Sequence, residues 1–324
     1  MAVSAARLNL RPGPCGGRPG RQAGVALIMA LMVVALATIA AAAMASRQQL
    51  DVRRTANLLD GDQAYVYALA VESWARMILA RDARDNQTDH LDEVWAQRMP
   101  PIGVPGGQID GYVADLQGRF NLNNLVNADG QISQGDFDYF QRLLRALELD
   151  ERLALAIVDW IDPDFDTRFP DGAEDDFYLA TEWPYRAANQ PLQSISELRL
   201  IRGVDVETWR RLAPFVTALP VRTAININTA TAPLLQALAE GLGTQDGEQL
   251  VEKRPADGYA SIDILLQETA FAGKEVDAGR LAVASQFFLV RSDVQVGTAR
   301  AQVYSIVQRN ADRLTTLART QGAW

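Results

Sequence analysis

The chemistry of this chain is concentrated in residues 159–179, DWIDPDFDTRFPDGAEDDFYL. There Asp159, Asp162, Asp164, Asp166, Asp171, Glu174, Asp175 and Asp176 stand against a single base, Arg168. Carboxylates this close in sequence repel one another unless they are solvated or share a cation. Oxygen donors with no His or Cys among them suit a hard cation, and Ca²⁺, which accepts many oxygens in flexible geometry, fits the alternating acids. Asp162, Asp164 and Asp166 fall at the first, third and fifth positions of an EF-hand loop. Thr167, however, stands where that loop needs Gly, and Ala173 where it needs its closing Glu, with Glu174 one place late. The loop is therefore not an EF-hand, and a solvated acidic loop packed through Phe165, Phe169 and Phe177 stays open as the alternative. A second stretch, NADGQISQGDF, supplies half an EF-hand pattern through Asn127, Asp129, Gly130, Ile132 and Asp136. Its first ligand position is Leu125, which cannot coordinate, so it reads as a turn and a helix start.

Catalytic patterns are missing from the sequence. It holds one His, His90, and one Cys, Cys15, which excludes a multi-His metal site, a histidine relay and an internal disulfide. No G-x-S-x-G, Walker loop, H-E-x-x-H or C-x-x-C is present, and clustered acids single out neither a general acid nor a general base. The net charge of −9 is uneven, because residues 1–24 carry Arg7, Arg11, Arg18 and Arg21 and no acid. An acidic body disfavours nucleic acid. A weak echo between QSISELRLIRG and ASIDILLQETA has the look of helix-hairpin-helix modules, but Asp205 and Glu207 in the hairpin would repel phosphate, so the echo reads as helix packing.

The elements that must carry this loop begin with a membrane segment. Val25 to Ser46 contains no charge, and a helix of that length spans about 33 Å, enough for a bilayer core. Arginines before the segment and acids after it place the N-terminus in the cytoplasm and the body in the periplasm. One reading is a Sec-type signal peptide cut before Ser46, after Ala43-Met44-Ala45. The other starts from the basic leader ending RQAG directly before VALIMALMVVALAT, which resembles the site at which prepilin peptidase cuts type IV prepilins and pseudopilins, here between Gly24 and Val25. Cys15 would leave with that leader. Two positions depart from the pilin pattern: Val25 replaces the usual Phe or Met, and Met29 replaces the usual Glu.

From Arg47 to Arg84 apolar residues keep helical spacing without a Pro, so the anchor helix is expected to continue, with Gly61 as the place for a bend. PPIGVPGGQ, residues 100–108, reads as a loop, and Gln108 to Leu116 as a strand. FFLVRSDVQVG and ARAQVYSIVQR read as two strands turning around Gly297. Between the strands, DFDYFQRLLRALEL, ERLALAIVDWI, SISELRLI, VETWRRLAPFVTAL and TAPLLQALAEGL read as helices.

The lack of Glu at Met29, together with DLQGRFNLNNL, DWIDPD, GAEDD, PYRAANQPLQSISEL and NINTA in that order, resembles the K family of minor pseudopilins of type II secretion. The resemblance covers nearly the whole chain. It implies an α+β fold, with a pilin-like N-terminal helix packed on a small antiparallel sheet and a large inserted all-α domain. The expected divisions are a leader over 1–24, a transmembrane part over 25–46, pseudopilin segments over 47–123 and 281–324, and the insertion over 124–280. It further implies calcium held by Asp162, Asp164, Asp166, Asp171, Glu174 and Asp175, leaving Asp159 and Asp176 outside the set. Implied partners are the minor pseudopilins I and J, other pseudopilins, prepilin peptidase and inner-membrane lipid, and the implied role is assembly at the pseudopilus tip without enzymatic activity. A minor pilin of a type IV pilus and a signal-cleaved periplasmic calcium-dependent enzyme are the alternatives.

Overall fold

The structure, a computed structural model, describes residues 23–310 and 313–322. Most of the expected leader, with Cys15, lies outside the described residues. The chain divides into two units, one ending at Leu58 and one beginning at Leu59. A single helix, α1 (Ala23–Asp85, 63 residues), enters both. It contains no Pro, is rich in Ala, Leu and Met, and continues through Gly61.

In the first unit every side chain described on α1 is exposed. This part contains a run long and apolar enough to cross a membrane by length and composition, consistent with a membrane anchor. Its hydroxyls close on the helix's own carbonyls, Thr38 Oγ1 donating to Ala35 O at 2.8 Å and Ser46 Oγ to Ala42 O at 2.9 Å, so neither brings an unsatisfied donor into an apolar solvent.

In the second unit α1 is followed by β1 (Met99–Val104) and β2 (Gly107–Asp115). A long middle stretch then holds short elements: β3 (Phe120–Asn121), α2 (Gln134–Ala146), α3 (Leu153–Ile161), α4 (Asp175–Tyr178), α5 (Val206–Leu212), β4 (Val216–Thr217), β5 (Ile225–Asn226), α6 (Ala232–Gln236), α7 (Thr244–Glu252), α8 (Ile262–Leu266) and β6 (Leu281–Ala282). The strands β7 (Phe287–Val296), β8 (Ala299–Asn310) and β9 (Arg313–Gln321) complete the described chain. The main sheet has the order β1-β2-β7-β8-β9, antiparallel throughout. This is the expected α+β class, a long helix packed on an antiparallel sheet with a helical region inserted between its strands.

Small residues let the helix come close to the sheet. Ala64 and Ala68 pack with Val294, Val296 and Val303, while Ala75 and Leu79 join Trp95, Val113, Phe288, Val290 and Val307. A Cβ at Gly111 would sit 2.4 Å from Arg291 O and 3.1 Å from Val71, so only Gly fits beneath the helix at that point. On this face Glu72 reaches the strands, receiving Arg319 Nε at 2.6 Å, Ser305 Oγ at 2.7 Å and Thr316 Oγ1 at 2.6 Å. The middle stretch has its own core, in which Phe120 stacks on Tyr139 and Phe140 and Trp160 meets Tyr178 edge-on.

Three expectations need correction. PPIGV is an edge strand: Pro removes a donor that an edge does not use, and the register shift between Met99 and Ile102 takes up the irregularity. The segment VETWRRLAPFVTAL is helical only in part, because Val216 and Thr217 pair in parallel with Phe120 and Asn121, a partner almost a hundred residues away. Two strands are expected at the C-terminal end, FFLVRSDVQVG and ARAQVYSIVQR, whereas a third, β9, follows them and pairs with β8. Gly297, with φ +52°, does turn the β7–β8 hairpin as expected.

Candidate functional site

The acidic loop starts on α3, a helix buried over nearly its whole length, which carries Asp159 one turn before its end and stops at Asp162. Pro163 follows, and the Asp164 carboxylate accepts the Asp166 N–H at 2.8 Å, folding the chain back. Gly172 N–H donates to Arg168 O at 2.7 Å. A Cβ on Gly172 would lie 2.1 Å from Asp159 Oδ2, so this glycine lets the loop close against α3. Glu174 then enters the short helix α4. Asn189, with φ +45°, clamps the far side, its N–H donating to Trp160 O at 3.0 Å and its Nδ2 to Asp164 O at 2.6 Å.

Asp162, Asp164 and Glu174 each bring a carboxylate oxygen within 4.8 Å of one another. Asp162 and Glu174 are buried, and both Glu174 oxygens, Asp162 Oδ1 and Asn189 Oδ1 have no hydrogen-bond partner. Burial pushes Asp162 up to about 7 against the pull of the Arg168 charge, with the Asp164 and Asp159 carboxylates adding to the rise. Burial followed by repulsion from Asp159, Asp162, Asp164 and Asp175 pushes Glu174 up to about 8. Buried, unpartnered oxygens that resist ionisation are what a divalent cation would relieve, and an all-oxygen donor set fits a hard one.

The other acids fall elsewhere. Asp166 is exposed, Asp171 is half-buried outside the cluster, and Asp176 is exposed on α4. Asp175 is committed to Ala187 N–H at 3.0 Å and to Arg186 at 3.4 Å, so it ties the PYRAAN segment to α4. Asp159, which the sequence reading left aside, is fully buried beside Asp162 and shares Arg168 with it. Asn189 was not singled out, although it is the Asn of the PYRAANQPL motif. Its positive φ and its free amide oxygen became visible only in three dimensions.

A second acidic group, Asp82, Asp89 and Glu93, also has metal-holding spacing, but it already encloses a cation. Arg309 donates to Asp82 Oδ2 at 3.0 Å and to Ser285 O at 2.8 Å, pairs with Asp89, and lies 4.8 Å above the Phe288 ring. Burial and the neighbouring Glu93 and Asp89 push Asp82 up to about 7. The half EF-hand is closed in the same way: buried Asp136 pairs with Arg222 and with Arg280 Nε at 3.1 Å, at the start of α2. Asp205 caps α5 through the Thr208 N–H at 2.8 Å.

Of the assembly residues, Gly24 and Val25 stand in the first turn of α1, and Met29 is exposed one turn further on. In the second unit α1 leaves Leu59, Val66 and Met77 at least 60% exposed, an apolar stripe on the side away from the sheet.

Two family models described as type II secretion system (T2SS), protein K match residues 118–221 and 225–284. The chain is 37% identical to the type II secretion system protein K of Pseudomonas aeruginosa over 313 residues, covering 93% of each. It is 38% identical to that of Klebsiella pneumoniae, covering 94% of this chain and 98% of the relative. Among solved structures it resembles a chain of the GspK-GspI-GspJ complex from the enterotoxigenic Escherichia coli type 2 secretion system, with a TM-score of 0.75 and 30% identity, covering 84% of this chain and all of that one.

Proposed function

The chain belongs to the type II secretion system protein K family of pseudopilins, and from that premise we propose that it is the minor pseudopilin at the tip of the pseudopilus, assembled with minor pseudopilins I and J. The observation that carries this reading is the likeness to a chain crystallised in a K–I–J complex. The role is one of assembly in protein transport and asks no catalysis of the chain. On this reading the N-terminus is cytoplasmic and the body periplasmic, prepilin peptidase removes residues 1–24, residues 25–46 span the inner membrane, and residues 124–280 are an insertion into the pseudopilin domain.

Met29 supports the tip position. In pilin-like fibres the Glu usual at this place is thought to pair with the N-terminal amine of a neighbouring subunit inside the bilayer, where an unpaired charge costs at least about 2.5 kcal/mol. A subunit with no charge to offer loses nothing only where no subunit precedes it. The insertion supports the same position, since a bulky helical region would obstruct stacking within a shaft and can cap one. The exposed stripe of Leu59, Val66 and Met77 gives partner helices an apolar face.

The acidic loop we assign to calcium, with Asp162, Asp164 and Glu174 as the nucleus of the site and Asp166, Asp171 and Asp175 as the further ligands implied by the family resemblance. The chemistry calcium would supply is cross-linking of the 159–179 loop. Mixing the detergent-purified full chain with minor pseudopilins I and J tests the assembly reading. An equimolar ternary complex by size-exclusion chromatography with mass determination is expected, and a chain that stays monomeric with both partners present would sink it.

A further inference from the structure

Arg168, the lone base of the acidic loop, is turned into the carboxylates instead of out to solvent. Its Nη1 lies 3.2 Å from Asp159 Oδ1 and contacts Asp162, and its Nη2 lies 3.4 Å from Asp164 Oδ2. Asp162 and Asp164 are also two of the three acids that converge with Glu174. The guanidinium does not satisfy the whole cluster: buried Glu174 receives no donor at either oxygen. A planar fork serves the acids in its plane, whereas a spherical cation with many oxygen ligands could also take the one left over.

We propose that Arg168 is a resident counter-cation that holds Asp162 and Asp164 in the calcium-free protein and is displaced when calcium takes them, so that it sets the affinity and the charge selectivity of the site. The inference rests on the calcium reading of this loop given above. A divalent ion and a guanidinium cannot share buried Asp162 and half-buried Asp164 without strong repulsion. A monovalent ion that replaced Arg168 would bring no more charge than it removed, so sodium and potassium gain little, while calcium adds a charge and recruits Glu174. The exchange needs little backbone movement. Arg168 N–H is held by Asp159 Oδ2 at 3.1 Å and its carbonyl by Gly172 N–H at 2.7 Å, while its side chain is already 20% exposed and has water to rotate into.

The test uses the full chain in detergent, with calcium titrated calorimetrically into the wild type and Arg168→Gln. In parallel, modification of Arg168 by phenylglyoxal is followed by peptide mass spectrometry with and without calcium. Arg168→Gln is expected to bind calcium about tenfold more tightly and to melt lower than the wild type in chelator, and calcium is expected to speed modification of wild-type Arg168. Arg168→Lys, which keeps the charge and loses the fork, should fall between the two and serves if the Gln variant does not fold in chelator. Calcium that binds both proteins equally, or that leaves Arg168 as shielded as before, overturns the displacement and spares the calcium site. No calcium heat from either protein overturns the calcium reading and this inference with it.

Discussion

Glu174 separates the two tasks of the acidic loop, folding and binding. It is buried with no donor at either oxygen and is pushed up to about 8, so without a cation it holds its proton at neutral pH. Its raised value, like that of Asp162, means the folded protein binds more protons than the unfolded chain from about pH 4 up to about 8. Stability in chelator should therefore fall as pH rises towards 8, a slope that thermal melts between pH 5 and 8.5 would measure. Glu174→Gln keeps the shape without the charge. It should reduce that slope to the share of Asp162, leave the melting temperature in chelator at neutral pH unchanged or slightly raised, and remove the increment calcium gives the wild type. That increment is about 2.7 kcal/mol at a hundredfold excess over the dissociation constant, and a Gln variant that keeps it would exclude Glu174 as a ligand. The kind of chemistry was legible in the run of acids, but the choice among them was not. Convergence of Asp162, Asp164 and Glu174 depends on where α3 stops and on Gly172 closing the turn, and neither leaves a mark in spacing alone.

At the scale of elements, Glu72 is the pin between α1 and the last two strands. Burial alone would raise its value, but hydrogen bonds from Arg319, Thr316 and Ser305 and the charge of Arg319 prevail and hold it at about 2. A depressed carboxylate contributes stability above its unfolded value that is lost as pH falls from about 4.5 towards 2. Glu72→Gln should cost about 2 kcal/mol at pH 7, less than breaking a fully buried pair because Arg319 reaches solvent. Its melting curve should converge with that of the wild type near pH 2, and a gap that persists there would assign the loss to packing. Periodicity revealed α1, β2, β7 and β8, whose apolar residues alternate or recur against one core. It hid β1, whose prolines look like a loop, and β9, whose sequence RLTTLARTQ has one buried residue, Leu314, beside a half-buried Thr316 and otherwise exposed residues at the sheet's edge. The motifs DLQGRFNLNNL and NINTA were legible as family marks, and the structure gives them work. Asn121, Asn123 and Asn124 bond to the backbone of residues 192 and 219–223, while Asn226 Nδ2 and Thr229 Oγ1 converge on buried Asp115 at 3.0 and 2.5 Å.

For the whole molecule, processing and position are coupled. Intact-mass measurement of the protein from the membrane of a type II-secreting host should give a chain beginning at Val25. A chain beginning at Ser46 would favour a secreted soluble protein and reject the pseudopilin reading. Met29→Glu should insert into the membrane and process normally without improving secretion, and a gain in secretion would argue against a subunit with nothing ahead of it. β2 ends at Asp115 and its neighbour β7 begins only at Phe287. A ribosome therefore delivers α1, β1 and β2 long before any strand that can cover them, and the sheet cannot close until the final forty or so residues have been made. Throughout that interval the alanine face of α1 is bare while the middle stretch, whose core is its own, is free to fold. Loss of only the last strand, β9, would remove Arg319, Thr316 and Leu314 together. A late stop codon would thus leave a chain with every motif of its family intact and no finished platform to hold them.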